Sequence, residues 1–274
     1  MADKETVKKL EKKAREMRVE IIKMTTKAAA GHPTSAMSAI DMVVALYYHF
    51  MKHNPKNPGW ADRDRFIMSK GHACPAQYAV LGDLGYFDRK EFGKLRQINS
   101  LLQGHPDRVK TPGIEISSGS LGQGLSVGNG MAWAAKLDNK DYRVYVMLGD
   151  GEMQEGQVWE AMMTSAQWKL GNVVALVDCN GLQNDWWVKD EKDLTPLSDK
   201  FRAFGWNTIE IDGHNMEQII SAIEKAKQAN GKPTAIIAKT VKGKGVGFME
   251  NDPDRHGVAL TDEEMKRALK ELGE

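Results

Sequence analysis

Two oxygen-bearing side chains, Asp150 and Asn180, follow apolar runs over 142–148 and 173–178 that each predict a buried strand. A helix is predicted between the runs, and a right-handed βαβ unit brings both strand ends to the same edge of a parallel sheet. Carboxylate and amide oxygens suit Mg²⁺, which takes few protein ligands and fills its remaining positions with water and substrate phosphates. Gly151 would let backbone N–H groups approach such a phosphate. The sequence therefore predicts a diphosphate held by magnesium.

The Gly-Asp-Gly turn at 149–151 is a weak signal in isolation, because glycine and aspartate are ordinary turn residues. With Asn180 about thirty residues downstream, however, the segment resembles the binding signature of thiamine diphosphate enzymes. In those enzymes a strand ending in Asn follows the Gly-Asp-Gly turn. The resemblance implies that Asn180 is a metal ligand, although Cys179 replaces the Asn or Asp that many members carry before it.

The elements that must position these residues alternate between helix and strand. Apolar periodicity predicts helices at about 4–29, 35–51, 74–85, 122–138, 154–170, 215–229 and 262–271, and strands near 65–68, 142–148, 173–178, 206–211 and 234–239. Such alternation is typical of an α/β fold with a doubly wound, mainly parallel sheet and helices on both faces. Ligands bind such folds beyond the carboxyl ends of the strands. No linker interrupts the chain, so we expect one domain over 1–274.

Composition narrows the class of protein further. The 274 residues carry a net charge of +1, which gives no electrostatic reason to expect nucleic acid or a membrane surface as a partner. The two cysteines, Cys74 and Cys179, are predicted to be reduced thiols. No signal peptide and no apolar stretch of membrane-spanning length is evident. We therefore expect a soluble, cytoplasmic enzyme subunit.

Four of the seven histidines lie in glycine-flanked turns: His32, His72, His105 and His256. Any one of them alone is most simply an ordinary structural histidine. Glycine permits close approach to a ligand and proline fixes the backbone, so four such turns indicate imidazoles presented to a common site. The spacing of the histidines does not favour a zinc site, and the sequence contains no Walker loop.

With these turns included, the chain resembles transketolase, specifically its N-terminal, diphosphate-binding half. The matching segments are Gly-His-Pro at 31–33 and 104–106, Ser-Lys-Gly-His at 69–72, Ser-Gly-Ser-Leu-Gly-Gln-Gly at 118–124, Gly-Asp-Gly at 149–151, Gln-Glu-Gly at 154–156 and His-Gly at 256–257. Ser120 departs from the usual proline and Thr34 from a common small residue. The resemblance covers most of the chain.

The resemblance implies thiamine diphosphate and Mg²⁺ as cofactors, with Ca²⁺ or Mn²⁺ able to replace magnesium. The metal would be held by Asp150, Asn180 and the backbone carbonyl of Leu182. The residues expected to bind the cofactor itself are His72, Gly119, Leu121, Gly151, Asn180 and His256.

The resemblance also implies the reaction, which is transfer of a two-carbon ketol unit from a ketose phosphate to an aldose phosphate. The expected catalytic residues are His32, His72, His105, His256 and Glu155. His32 and His105 would face the sugar, and Glu155 would communicate between two cofactor sites.

Transketolases are about twice this long, and their other half carries the pyrimidine-binding and C-terminal domains. The chain starts at Met1 and ends in a capped helix from Thr261, which leads us to expect a complete product. We therefore predict a partner subunit bearing the other half, in an α₂β₂ heterotetramer. Trp186 and Trp187 are candidates for the interface. The 242–245 loop, with two lysines, could approach phosphate or be solvated, and it is left unassigned.

Two alternatives remain open at this level. The first is a subunit of another thiamine diphosphate enzyme, such as a 2-oxo acid dehydrogenase or deoxyxylulose phosphate synthase, which would share the metal signature. The second is a non-catalytic, cofactor-binding regulatory subunit. The presence of Asp150, Asn180 and all four histidines argues against the second.

Overall fold

Five apolar runs form one parallel sheet in the computed structural model, which describes residues 3–229 and 231–274. The strands are β1 (Arg65–Met68), β2 (Val144–Gly149), β3 (Val173–Cys179), β4 (Asn207–Asp212) and β5 (Thr234–Lys239). They lie in the order β1-β2-β3-β5-β4, and every neighbouring pair is parallel. The predicted strands are confirmed, although β2 begins at Val144 rather than at Tyr142.

The helices of the described residues are α1 (Lys4–Lys27), α2 (Pro33–Ala45), α3 (Cys74–Asp83), α4 (Gln123–Leu137), α5 (Gly156–Gln167), α6 (Val188–Lys192), α7 (Leu197–Ala203), α8 (Met216–Gln228) and α9 (Asp262–Glu271). A π-helical turn, Leu46–Phe50, continues α2, and 3₁₀ turns occupy Gly71–Ala73, Arg89–Lys94, Glu152–Gln154 and Pro253–Arg255. The seven predicted helices are present, and only the short α6 and α7 were not predicted. No helix in the described ranges combines the length and apolar character needed to cross a bilayer.

Alternate strand side chains pack into two separate cores, one on each face of the sheet. In β2, Tyr145 and Met147 join a core built with α1, α2, α3, α8 and α9. Val144, Val146 and Leu148 join the opposite core, with α4, α5 and α7. This period of two, in strands buried on both faces, explains their near-continuous apolar sequence. The predicted α/β architecture with helices on both faces is confirmed.

A buried ion pair lies at the carboxyl edge of the sheet, between Lys70 after β1 and Asp178 in β3. The Asp178 side chain is completely buried, and Lys70 is 2% exposed. The carboxylate also accepts hydrogen bonds from Ser38 Oγ, at 2.5 Å, and from Thr240 Oγ1. Burial by itself raises the pKa of Asp178, but the Lys70 ammonium lowers it below its usual value, so the carboxylate remains charged. The helix α2 and the residues that follow β1 and β5 therefore meet at one charge.

We expect the substitution Asp178→Asn to reduce the free energy of unfolding by about 3–5 kcal/mol, because it leaves the Lys70 ammonium buried and unpaired. Urea denaturation monitored by circular dichroism would measure the loss. The matched control is Asp199→Asn, since Asp199 pairs with Arg202 at the surface. That change should cost at most about 1 kcal/mol. Equal, small losses in the two variants would contradict the role given to the buried pair.

Candidate functional site

A cleft opens beyond the carboxyl ends of β2 and β3, where the sequence predicts a ligand. It brings together most of the predicted site residues. Its lining includes His72, Leu121, Asp150, Gly151, Glu155, Asn180, Leu182 and His256. His32 lies beside this lining, against His72 and His256, whereas His105 and Gly119 lie against each other. Most of the dispersed turns therefore meet at one edge of the sheet.

Asp150 ties the ends of β2 and β3 together. Its Oδ2 accepts a hydrogen bond from the N–H of Gly181 at 2.6 Å, and its Oδ1 accepts one from the N–H of Gly151 at 2.9 Å. Burial raises the pKa of Asp150 to about 6, although the hydrogen bonds from Gly181 and Gly151 oppose the rise. A bound cation would lower that pKa and stabilise the charged form.

Asn180 is held by hydrogen bonds that orient its amide group. Its Nδ2 donates to Asp178 Oδ2 at 3.3 Å and to Ser38 Oγ at 3.4 Å, and its Oδ1 accepts from the N–H of Leu182 at 3.1 Å. The hydrogen bond to Asp178 thus fixes the position of the amide nitrogen, and with it the direction in which the amide oxygen points.

The donor chemistry around Asp150 fits a hard cation. One carboxylate, the Asn180 amide oxygen and the Leu182 carbonyl are oxygen donors on the lining of one cleft. In the described ranges, no three His, Cys, Asp or Glu side chains cluster as a ready-made metal site. A magnesium ion does not need such a cluster, because it completes its coordination with water and phosphate oxygens.

Three of the four predicted histidines form a cluster. The ring centroids of His32 and His72 are 5.0 Å apart, and the ring of His256 lies 5.2 Å from each. Burial lowers the pKa of His32 to about 4 and that of His256 to about 3, and it holds the pKa of His72 well below its ordinary value. All three imidazoles are therefore neutral at pH 7.

His105 lies outside this cluster, against the glycine-rich loop before α4. A Cβ added to Gly119 would come 3.3 Å from His105 Cδ2, so a larger residue there would press on the ring. The N–H of Ser118 donates to the carbonyl of Pro106 at 3.2 Å, which fixes the two loops together. Glu155 lies at the rim of the cleft and is exposed at the start of α5.

Lys242 is not solvated, although the sequence left open a solvated side chain in the 242–245 loop. Lys242 is completely buried, and its Nζ lies 2.5 Å from His256 Nδ1 and 3.5 Å from the carbonyl oxygen of Leu182. Burial, followed by the nearby charge of Lys70, lowers its pKa to about 8. Lys244, by contrast, is partly exposed and pairs with Glu250. The chain contacts that bury Lys242 are distant in sequence, so no local signal identifies it.

Glu152 is a second residue that sequence reasoning missed. Its carboxylate is buried and accepts hydrogen bonds from the N–H groups of Gly122, at 2.9 Å, and Gly149, at 3.0 Å, and from Ser69 Oγ at 2.5 Å. These contacts join the glycine-rich loop to the end of β2. An acid directly after Gly-Asp-Gly was the available signal.

Comparison with known proteins agrees with this geometry. Residues 9–274 match the family described as "Transketolase, thiamine diphosphate binding domain". A 6-deoxy-6-sulfo-D-fructose transketolase subunit from Clostridium sp. (strain MSTE9) is 44% identical over 246 residues, which is 90% of this chain and 90% of that protein. An apulose-4-phosphate transketolase subunit from Phocaeicola vulgatus is 40% identical over 268 residues, which is 98% of this chain and 95% of that protein.

A solved transketolase gives the same fold. The crystal structure of transketolase from Campylobacter jejuni superposes with a TM-score of 0.91 at 36% sequence identity. The match covers 96% of this chain but only 42% of the Campylobacter chain. This chain therefore spans less than half of that transketolase, although it spans nearly all of the two subunit relatives.

The low pKa of His32 predicts a pH dependence of folding. The unfolded chain takes up a proton on this histidine below about pH 6.5, whereas the folded chain does so only near pH 4. The stabilisation is therefore complete above about pH 6.5 and is lost as the pH falls from there towards 4. Urea denaturation at about pH 7.5 and 5.5 should show a smaller loss of stability on acidification in His32→Asn than in the wild type.

The matched control for that measurement is His49→Asn, because His49 is exposed at the end of the π-helical turn and far from the histidine cluster in sequence. An identical loss of stability in the wild type and in His32→Asn would contradict the environment assigned to His32.

Proposed function

This chain belongs to the family of transketolase thiamine diphosphate-binding domains, and on that premise we propose that it is the N-terminal subunit of a split transketolase. The proposed reaction transfers a two-carbon ketol unit from a ketose phosphate to an aldose phosphate. The observation that carries the proposal is the meeting of Asp150, Asn180 and Leu182 in one cleft with His256. We propose that the chain forms a single diphosphate-binding domain over 1–274, and its cytoplasmic location stays a prediction.

The oxygen donors of the cleft would hold Mg²⁺. We assign the Asp150 carboxylate, the Asn180 amide oxygen and the Leu182 carbonyl as its protein ligands, since all three line the same space. Gly151, His72 and His256 would contact the diphosphate. Gly151 must be a glycine for packing reasons as well, because an added Cβ would come 2.9 Å from the Cβ of Gln183.

Lys242 belongs with these groups. Its buried ammonium lies beside His256 and the Leu182 carbonyl, so a diphosphate in the cleft would supply the negative charge that it lacks there. Gly119 and Leu121 would meet the cofactor rings through their backbone groups.

Bound thiamine diphosphate would provide the electron sink for the carbanion left when the C2–C3 bond of the ketose breaks. The chain's own contribution is to handle protons and orient the sugar. Neutral imidazoles both accept and donate protons, and His32 is held in the neutral form by burial. Burial, with Arg96 nearby, likewise lowers the pKa of His105. We assign His32 to the acceptor side and His105 to the hydroxyls at the reacting carbons.

A partner subunit completes the proposal. Two relatives that match this chain over nearly their whole length are named as transketolase subunits, and the Campylobacter transketolase is more than twice as long as the matched region. We propose that the partner carries the pyrimidine-binding and C-terminal domains in an α₂β₂ assembly. Glu155, exposed at the cleft rim, would then face the second cofactor site.

The comparisons bear on the alternatives. Two relatives, at 44% and 40% identity, are named as transketolase subunits, which favours ketol transfer over the chemistry of 2-oxo acid dehydrogenases or deoxyxylulose phosphate synthase. A non-catalytic regulatory role is disfavoured because the histidine cluster and the oxygen donors all lie at the cleft.

The proposal is tested by mixing this chain with a candidate partner chain that carries the pyrimidine-binding domain and assaying ketol transfer. We expect turnover only in the mixture with thiamine diphosphate and Mg²⁺, and its loss on chelation of the metal. Asp150→Ala should abolish magnesium-dependent cofactor binding, measured by isothermal titration. His105→Ala should bind cofactor normally but lower kcat by about 10²-fold or more, because it removes a proton-transfer group.

The control for Asp150→Ala is Asp190→Ala, because Asp190 is exposed on the short helix α6. It should match the wild type in binding and turnover. Full turnover by His105→Ala, or cofactor binding by Asp150→Ala as tight as in the wild type, would refute the corresponding assignment. No magnesium-dependent binding to the wild-type mixture would overturn the proposed function.

A further inference from the structure

We propose that Arg18, Asp41 and His214 act as positioning residues that hold the Val241–Lys242 backbone, and through it the Lys242 ammonium, in place for the diphosphate. The inference rests on the proposed function and extends it to residues outside the cleft. It starts from an observation that the site does not explain, namely a row of largely buried polar side chains, Arg18, Asp41 and His214, behind the loop that carries Lys242.

The row begins with an ion pair between α1 and α2. The Arg18 and Asp41 side chains are 9% and 8% exposed, and Arg18 Nη2 lies 2.5 Å from Asp41 Oδ2. Arg18 Nη1 donates to Asp41 Oδ1 at 3.2 Å, so the guanidinium grips both carboxylate oxygens. A buried, doubly bonded carboxylate of this kind has a fixed orientation.

His214 continues the row from Asp41 to the loop. Its Nδ1 lies 2.7 Å from Asp41 Oδ2, and its Nε2 accepts a hydrogen bond from the N–H of Val241 at 2.8 Å. Because Nε2 is an acceptor, the neutral ring carries its proton on Nδ1 and donates it to Asp41. The carboxylate thus sets both the tautomer and the direction of the imidazole, as carboxylates do for histidines that bind metals.

The bond from the Val241 N–H to His214 is one of several hydrogen bonds that hold this turn. The N–H of Gly243 donates to the carbonyl of Thr34, and the N–H of Asn251 donates to the carbonyl of Lys242, both at 3.0 Å. The bond to His214 holds the residue directly before Lys242. Since Gly243 has a φ of +77° and the turn is tight, a shift at Val241 would carry the Lys242 side chain with it.

The position of Lys242 matters because its ammonium has no carboxylate in direct contact. In the described part of the chain, no carboxylate lies within 4.0 Å of its ammonium, and its hydrogen-bond partners are His256 and the Leu182 carbonyl. An ammonium buried in this way is costly to the protein unless a ligand supplies negative charge. Holding it in advance lowers the reorganisation needed when a diphosphate binds.

The test is isothermal titration of thiamine diphosphate with Mg²⁺ into the assembly of this chain with its partner subunit. His214→Phe removes both hydrogen bonds of the ring, and we expect it to weaken cofactor binding about 10-fold to 100-fold, in the range of other supporting residues of this kind. At saturating cofactor, kcat should stay close to that of the wild type, because His214 touches no reacting group.

Two further variants separate positioning from general stability. His214→Gln keeps one donor and one acceptor, so it should restore most of the affinity. His214→Asn is too short to reach the N–H of Val241 and should bind as weakly as His214→Phe, which also guards against misfolding of the phenylalanine variant. Amide hydrogen exchange at Val241, measured without cofactor, should be faster in the Phe and Asn variants only. The matched control is His49→Phe at an exposed position.

A comparison of single and double mutants tests whether His214 acts through Lys242. If His214 acts through Lys242, His214→Phe should cause no further loss of affinity in the background of Lys242→Met. Equal losses in the two backgrounds, or wild-type affinity in His214→Phe, would overturn the inference while leaving the proposed function intact. Failure of the wild-type assembly to bind the cofactor would instead overturn the proposed function, and this inference with it.

Discussion

The fully buried carboxylate of Asp178 is the constraint on which the ligand edge of this protein depends. It balances the Lys70 ammonium that follows β1, and it accepts hydrogen bonds from α2 and from the residue after β5. It also accepts a hydrogen bond from the Asn180 amide. A charge buried this deeply is tolerated only while its partners stay in place. These segments must therefore all reach their native positions together. Asn180, one of the proposed metal ligands, is held in position by the same carboxylate.

Charge is distributed unevenly across the cleft that results. One wall presents oxygen donors, among them the desolvated carboxylate of Asp150. The other carries the neutral imidazole of His256, and the completely buried ammonium of Lys242 lies behind it. A cation on the first wall and an anion against the second would satisfy both, and a diphosphate with its bound magnesium supplies the two at once. The neutral histidines beside it remain free to exchange protons with a sugar.

Much of this was predictable from the sequence, because the rules involved are local or topological. Apolar runs predicted the strands, and parallel topology then required Asp150 and Asn180 to meet at one edge. Lys242 was not predictable, since its burial depends on contacts with segments far away in the chain, such as Thr34. Asp178 was predicted only as part of a strand. A charged residue in an apolar run was nevertheless a usable signal of a special role. The helices α6 and α7 are too short to show periodicity.

The most direct test of the central claim is a crystal structure of the assembled subunits with thiamine diphosphate and Mg²⁺. We expect one metal ion at about 2.0–2.1 Å from the Asp150 carboxylate, the Asn180 amide oxygen and the Leu182 carbonyl, with diphosphate oxygens completing its shell. We also expect a diphosphate oxygen at hydrogen-bonding distance from Lys242 Nζ. A diphosphate bound elsewhere, with Asp150 still accepting hydrogen bonds only from the N–H groups of Gly151 and Gly181, would contradict it.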